Sequence, residues 1–271
     1  MTGRQQPVPH PFFEGAPHLI AHRGGAALAP ENTLAALEDA AHRWSADIIE
    51  IDVRTTVDGR CVLMHDPTVD RTTDGTGDVA NWTLAELKRL DAGHNFVALD
   101  GSRPYQRRGV TVPTIEEVLE ALPHMRFIVE VKIGTAQRPL LDAIRRANAF
   151  ERVLIAGERD EDRDLFPGYP GPTSESGDSM RRLYRMHRMR LMRWWKPTHP
   201  AVQFPLDYEG RRMVDERLVR ELKEKGLVVH IWTVNDPADM RRLLDWGVDG
   251  VLTDRPDLLG ELMGRGSPPA R

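Results

Sequence analysis

The sequence predicts an α/β protein, a TIM (β/α)8 barrel with an insertion after the second strand. Eight short apolar runs each precede a helical pattern within about 250 residues, which is the spacing of parallel strands joined by crossover helices. Charged side chains and histidines follow several of these runs, where barrels carry their active sites. An open doubly wound sheet has the same periodicity and is the alternative architecture.

Each predicted strand is a short run of mostly apolar residues that a helix follows. The eight runs cover residues 18–21, 48–53, 126–131, 152–156, 172–177, 201–204, 227–234 and 250–253. The fifth run is the least regular, because Thr173, Ser174 and Glu175 within it are polar.

Helices are predicted from the spacing of apolar residues and from capping residues. Asn32 or Thr33 should cap the first helix, and Thr114 should cap a later one. Gly226 has the conformational freedom that a helix end requires. Further helices are expected over 137–149, 180–195, 214–225 and 237–245.

Two segments interrupt the alternating pattern near the second strand. Asp58 and Gly59 are a strong hairpin signal, so the residues before and after them should pair as antiparallel strands. Residues 66–112 are turn-rich and irregular, and we interpret them as the insertion.

The rest of the chain divides simply. Residues 1–17 are polar and rich in proline and predict a loose N-terminal arm, which leaves 18–265 for the barrel domain.

The 271 residues carry a formal net charge of -4, so we expect no nucleic-acid partner. The single cysteine, Cys61, excludes an intrachain disulfide framework. No apolar signal region or membrane span is visible, which favours a cytoplasmic location. The sequence carries no signal for an oligomeric state.

The second predicted strand carries two acids among apolar residues. Glu50 and Asp52 are two residues apart, so both carboxylates point to the same face of the strand. Two like charges on one buried face repel each other and cost desolvation free energy. A divalent cation would remove that cost, because Mg²⁺ and Ca²⁺ prefer oxygen ligands. Alternatively, one acid forms a salt bridge and the other lies in solvent.

Other reactive side chains follow the remaining strands. His22 and Arg23 end the first strand, and His65 ends the second arm of the hairpin. Glu130 and Lys132 end the third strand and share one face, since they too are two residues apart.

Each of these residues also has a purely structural interpretation. Glu130 and Lys132 would form a simple ion pair, and Lys132 would neutralise an acid instead of contacting phosphate. Trp232 on the seventh strand would be a core residue. Glu31 would orient the site or belong to a helix cap.

The ordered set of motifs resembles the glycerophosphodiester phosphodiesterase family over about residues 18–260. The matching stretches are His22-Arg-Gly-Gly25, Pro30-Glu-Asn-Thr33, Glu50-Ile-Asp-Val53, Asp58-Gly59, His65-Asp-Pro67, Arg71-Thr-Thr73, Glu130-Val-Lys132, Trp232-Thr-Val-Asn235, Asp249-Gly250 and Thr253-Asp254. The resemblance implies a TIM barrel with an insertion after the second strand. It also implies one divalent cation, either Mg²⁺ or Ca²⁺, and carboxylate ligands would accept Mn²⁺ as well.

The resemblance also implies a role for each matched residue. The metal ligands would be Glu50, Asp52 and Glu130, and the catalytic acid and base would be His22 and His65. Substrate and phosphate contacts would come from Arg23, Lys132 and Trp232. The expected reaction is hydrolysis of a small glycerophosphodiester to sn-glycerol 3-phosphate and an alcohol.

Three alternatives to this function stay open, and one of them is a structural protein whose acids form only ion pairs. The same site would serve a lysophospholipase D-like activity on a lipid-bearing diester, or a barrel that binds phosphodiesters without catalysis. The segment 180–196 holds seven basic residues and no acid, so it is either an ordinary barrel helix or an amphipathic element for peripheral contact with anionic lipid.

Overall fold

The computed structural model describes residues 10–166 and 168–265. The strands are, in chain order, β1 His18–His22, β2 Ile48–Thr55, β3 Cys61–Leu63, β4 Arg126–Val131, β5 Val153–Gly157, β6 Ala201–Pro205, β7 Asp207–Tyr208, β8 Arg211–Arg212, β9 Val228–Trp232 and β10 Gly250–Thr253. The α-helices are α1 Leu34–Glu38, α2 Leu84–Leu87, α3 Ile115–Ala121, α4 Gln137–Arg146, α5 Gly177–Arg188, α6 Glu216–Glu224, α7 Pro237–Asp245 and α8 Pro256–Leu262.

Seven of these strands form one parallel sheet in the order β5-β4-β2-β1-β10-β9-β6. Residues 173 and 174 lie between its two edges, where Thr173 makes a parallel bridge to Ile155 of β5 and Ser174 makes one to Ala201 of β6. The circle is thereby closed, and the fold is a TIM barrel, as predicted. The predicted fifth strand over 172–177 is wrong in its extent, because two single bridges stand where a regular strand was expected.

The hairpin and the helix caps agree with the sequence. β3 pairs antiparallel with β2 in the register Val53 to Leu63, as the Asp58-Gly59 turn predicts. Thr33 caps α1 through the backbone N–H of Ala36. Thr114 caps α3 in a reciprocal capping box, and Gly226 follows α6 with φ +76°.

Strand alternation separates two cores. On β2, Ile49, Ile51 and Val53 pack outwards against the helices, whereas Ile48 points into the barrel. Glu50 and Asp52 have the same parity as Ile48, so they share its inward face. The apolar filling of the barrel is therefore confined to its lower part, and the upper part holds charged groups.

The N-terminal segment differs from the predicted loose arm over the residues that the structure describes. Residues 1–9 fall outside them. Phe12 and Phe13 are buried inside the barrel with Ile20, Ile48, Ile128 and Leu154. Arg126 holds this segment in place, because its Nη1 donates to the carbonyl oxygens of Phe12 at 2.7 Å and Glu14 at 2.8 Å. The segment thus closes the lower end of the barrel.

The excursion after β3 has a small core of its own. A 3-10 turn at Val79–Asn81 and helix α2 enclose it. Its buried members are Val62, Met64, Val69, Val79, Leu87, Ala92 and Val112. The segment is therefore a packed layer beside β2 and β3, although its sequence is rich in turns.

The predicted helix over 180–195 is also wrong in its extent. α5 begins at Gly177 with Ser176 as its cap and ends at Arg188. A separate 3-10 turn, Met192–Trp194, follows it. Trp195 is buried in the main core while Trp194 is exposed, so the segment does not present one continuous helical face. Within the described ranges, no helix is long and apolar enough to cross a membrane.

We predict that Phe12→Ala destabilises the protein by about 3–5 kcal/mol, because it leaves a cavity where a fully buried aromatic ring filled the barrel. Urea unfolding of both proteins measures the difference. Leu99→Ala is the matched control, since 67% of Leu99 is exposed and its removal should cost little. A loss for Phe12→Ala no larger than that of the control would contradict the packing described above.

Candidate active site

The site lies where β1, β2 and β4 end, and strand register brings its residues together. His22 of β1 pairs with Glu50 of β2. Asp52 of β2 pairs with Glu130 of β4. Because neighbouring strands are about 4.8 Å apart, this register places the four side chains on one inward face.

Three carboxylates form the centre of the site. One oxygen from each of Glu50, Asp52 and Glu130 lies within 4.8 Å of the others. Burial, together with the charge of Asp52, raises the pKa of Glu50 to about 8. Burial alone would also raise the pKa of Asp52, but the charges of Lys132 and Arg23 lower it to about 2. The protein therefore holds a cluster that repels itself.

Two cations partly compensate this cluster. Lys132 Nζ lies 3.1 Å from Asp52 Oδ1 and 2.9 Å from Glu130 Oε1. Arg23 Nε lies 3.3 Å from Asp52 Oδ2, and the Arg23 backbone N–H donates to Glu50 Oε2 at 3.1 Å. Lys132 thus neutralises acids, as its structural interpretation states, and it also lines the cavity above them.

The turn after β1 is shaped by close packing. Arg23 has φ 52° and Gly24 has φ +85°. A Cβ on Gly24 would come within 2.9 Å of Ala36, so only glycine lets the turn lie against α1. Asn32 follows the turn, and its Nδ2 donates to Asp52 Oδ2 at 2.9 Å. Its Oδ1 accepts from the Asp52 backbone N–H at 3.2 Å, so Asn32 fixes the strand and the carboxylate together.

Each predicted catalytic histidine is held by a carboxylate at Nδ1. His22 Nδ1 lies 2.7 Å from Asp254 Oδ1, and His65 Nδ1 lies 2.6 Å from Asp66 Oδ1. Burial on its own would lower the pKa of His22, but the hydrogen bond to Asp254 and the nearby charge of Glu50 raise it above the ordinary value. A carboxylate at Nδ1 leaves Nε2 as the nitrogen available for proton transfer.

Sequence reasoning did not assign roles to Asp254 or Asn235. Asn235 Nδ2 donates to Asp254 Oδ2 at 2.8 Å, and its Oδ1 accepts from the Asp254 backbone N–H at 2.9 Å. Asn235 thereby orients the partner of His22. The position of Asp254 directly after the last barrel strand was the signal that could have identified it.

The reactive groups line one side of a cavity of about 780 Å³. His22, His65, Glu50 and Glu130 belong to that side. Trp232 lies at the cavity wall at the end of β9, with 38% of its surface exposed. Its Nε1 donates to the carbonyl oxygen of Gln203 at 2.7 Å, so the ring has a fixed position and is not a core residue.

The donor set fits a divalent cation. Three carboxylates from adjacent strands supply the hard oxygen ligands that Mg²⁺ and Ca²⁺ require. The raised pKa of Glu50 marks the electrostatic cost that a cation would relieve. Glu50, Asp52 and Glu130 are the residues that would hold the ion.

Comparison with known proteins assigns the family. The Glycerophosphoryl diester phosphodiesterase family pattern matches residues 22–160 and 178–258. The chain belongs to this family. A glycerophosphodiester phosphodiesterase from Caldanaerobacter subterraneus subsp. tengcongensis is 35% identical over 258 residues, covering 92% of this chain and 98% of that protein. One from Bacillus subtilis is 33% identical over 256 residues, covering 88% of this chain and 84% of its own.

Solved structures agree with this assignment. A Glycerophosphoryl Diester Phosphodiesterase Domain from Mycobacterium tuberculosis has the same fold, with a TM-score of 0.82 over 93% of this chain and all of that domain, at 24% identity. A phosphodiesterase from Oleispira antarctica, solved with the product sn-glycerol-3-phosphate, has a TM-score of 0.74 at 25% identity over 93% of this chain and 99% of its own. This chain is accordingly an enzyme of the glycerophosphodiester phosphodiesterase type.

We predict that the metal-free enzyme loses stability as the pH rises from about 5 to about 8. In that range folded Glu50, with a pKa of about 8, keeps a proton that the unfolded chain has released, so the free energy of unfolding falls as the pH rises. Urea unfolding in EDTA measures the slope. Glu50→Gln should flatten it, and an added divalent cation should remove it. Equal slopes for the wild type and Glu50→Gln in EDTA would show that Glu50 does not carry this effect.

Proposed function

We propose that this enzyme hydrolyses glycerophosphodiesters to sn-glycerol 3-phosphate and an alcohol, with one divalent cation and two histidines. The observation that supports it best is a pair of carboxylate-backed histidines, His22 and His65, lining the same cavity as a three-carboxylate cluster. The names of the relatives and the product found in the Oleispira antarctica structure are consistent with this substrate class.

The cation, when bound, would supply Lewis-acid stabilisation of negative charge on the phosphoryl oxygens. Mg²⁺, Ca²⁺ and Mn²⁺ are all compatible with carboxylate ligands. Arg23 and Lys132 border the same space and would bind and orient the phosphate. Their positive charges already face the carboxylates, so the pocket has both signs of charge in place before substrate enters.

The two histidines would move the protons. One takes the proton of a hydroxyl of the substrate's glycerol as its oxygen forms a bond to phosphorus, the P–O bond to the alcohol breaks, and the other histidine gives its proton to the departing alkoxide. The resulting cyclic phosphate is opened by water with the two roles reversed. Asp254 and Asp66 would stabilise the imidazolium that forms on His22 and on His65.

A decisive experiment combines metals, substrates and histidine variants. The protein is treated with EDTA, refilled with Mg²⁺, Ca²⁺ or Mn²⁺, and offered glycerophosphocholine and glycerophosphoethanolamine. We expect hydrolysis that depends on the metal. His22→Ala and His65→Ala should each lower kcat by about 10²–10⁴-fold, while calorimetric titration shows that the cation still binds.

His42→Ala is the matched control, because His42 lies in the helical turn after α1 and lines none of the described cavities. Hydrolysis of neither diester with any of the metals would refute the proposal. Near-normal rates in either His22→Ala or His65→Ala would refute the acid–base assignment alone. A barrel that only binds phosphodiesters would bind substrate without turnover, and it has no need for two histidines with fixed tautomers.

A second candidate function is supported by the far wall of the cavity. This wall is formed by α5, the end of β6, the β7–β8 hairpin and the end of β9, and it carries a group of apolar and aromatic side chains beside the arginines of α5. Its side chains include Met180, Tyr184, Phe204, Tyr208, Met213 and Trp232. An alkyl chain beside the scissile phosphate would find apolar contacts there, which favours lysophospholipids as additional substrates.

We predict that kcat/KM for lysophosphatidylcholines rises with acyl length, by roughly fourfold for each methylene that is fully buried at ~0.8 kcal/mol. Short-chain substrates below their micelle-forming concentration are used. Met213→Asn should weaken the dependence without changing kcat/KM for glycerophosphocholine. Met189→Asn is the control, since Met189 is 60% exposed and lies outside the cavity. No dependence on acyl length would exclude this substrate class.

Peripheral contact with anionic lipid through residues 180–196 stays a prediction, as does the cytoplasmic location. Arg185, Arg188 and Arg193 are exposed, and so are Met189 and Trp194. These residues are divided between α5 and the following turn, so any contact would involve two short elements and not one amphipathic helix.

A further inference from the structure

One arginine of the excursion after β3 contacts two separate parts of the site. Arg71 Nε donates to Asp66 Oδ2 at 2.6 Å. Its Nη1 and Nη2 donate to the two oxygens of Glu31 at 2.6 Å and 2.8 Å. A planar guanidinium can make this double contact because its N–H groups form a rigid fork, whereas a lysine ammonium cannot match both carboxylates in one plane.

Each of these two carboxylates also contacts a residue of the reaction centre. The other oxygen of Asp66 holds His65 Nδ1. Glu31 Oε1 also accepts from Arg23 Nη1 at 3.0 Å. A continuous chain of hydrogen bonds therefore runs from His65 through Asp66, Arg71 and Glu31 to Arg23.

The backbone around Arg71 is itself anchored. Asn95 Nδ2 donates to the carbonyl oxygens of Asp70 at 3.1 Å and Thr73 at 2.8 Å. Asp70 Oδ2 accepts from the Gly77 backbone N–H at 2.8 Å. The Arg71 side chain thus extends from a turn whose backbone is held by other residues of the excursion.

An ordinary surface ion pair contributes little to the free energy of folding, because solvent screens the two charges. Half of the Arg71 side chain is exposed, but Glu31 is largely buried. The hydrogen bond from Arg71 makes the largest contribution to keeping the pKa of Asp66 far below its usual range. Burial would raise the pKa of Glu31, and the bonds from Arg71 and Arg23 reverse that effect. Both carboxylates are therefore held ionised, as partners of His65 and Arg23.

We propose that Arg71 is a positioning residue that sets the orientation of His65 and of Arg23 together, and so couples the excursion after β3 to acid–base chemistry and phosphate binding at once. The inference rests on the proposed function. It assigns to the excursion a role in the site beyond covering β2 and β3.

The test compares Arg71→Gln and Arg71→Lys with the wild type on glycerophosphocholine. Arg71→Gln should lower kcat by about 10–10²-fold, the scale of a displaced catalytic group. It should also raise the inhibition constant of sn-glycerol 3-phosphate severalfold, because Arg23 is no longer braced. Arg71→Lys should recover only part of both losses. In the Arg71→Gln background, adding Glu31→Gln should have a smaller effect than in the wild type.

Arg103→Gln is the matched control, since Arg103 belongs to the same excursion and its Nη1 donates to the carbonyl oxygen of His94. It should leave kcat and the inhibition constant unchanged. If Arg71→Gln changes neither quantity by more than twofold while the wild type is active, the positioning role is refuted and the proposed function stands.

A measurement that needs no turnover separates the positioning role of Arg71 from the proposed function. Histidine ¹⁵N spectra, with the His65 signals assigned from His65→Ala, report whether Nδ1 carries a fixed proton. We expect that signal in the wild type and its loss or exchange broadening in Arg71→Gln but not in Arg103→Gln. An unchanged Nδ1 signal in Arg71→Gln would overturn the inference even if the wild type proved inactive on every diester.

Discussion

The repulsion among Glu50, Asp52 and Glu130 is the constraint around which the rest of the site is arranged. Parallel register places the three carboxylates together on one inward face. Their charge must be balanced locally, since two of the three are almost fully buried. Lys132 and Arg23 do this in part, and a bound cation would balance the remaining charge. In the proposed function the same two side chains would also bind the phosphate, so charge balance and substrate recognition would depend on the same residues.

The sequence was sufficient to predict the architecture and the side chains that the strands bring together at the candidate site. The two-residue spacing of Glu50 and Asp52 decided their common face, and the alternation of strands and helices decided the barrel. Seven strands were located to within about two residues. The prediction of the fifth strand was wrong in extent because Glu175 is buried by side-chain hydrogen bonds, which a pattern of apolar residues does not detect. Glu175 accepts from the backbone N–H groups of Thr198 and His199, far along the chain.

The supporting residues were harder to find for a related reason. Asp254 contacts His22 across 232 positions of the sequence, Asn235 contacts Asp254 across 19, and Arg71 contacts Glu31 across 40. Local spacing has no information on such pairs. The prediction of a loose N-terminal arm was wrong for a similar reason. Phe12 and Phe13 are buried only inside a barrel that the rest of the chain forms.

The closure of the barrel at residues 173 and 174 has a mechanical consequence. Elsewhere around the circle neighbouring strands share two to six paired positions, whereas each side of this seam has one bridge. Backbone breathing should therefore concentrate there, and its amides should exchange with solvent before those of the other strands. Ser174 and Glu175 also border the cavity, on the side of its apolar wall. The barrel can thus deform at residues 173 and 174, where a bulky substrate group would lie, while the strands that carry the carboxylates and His22 keep their register.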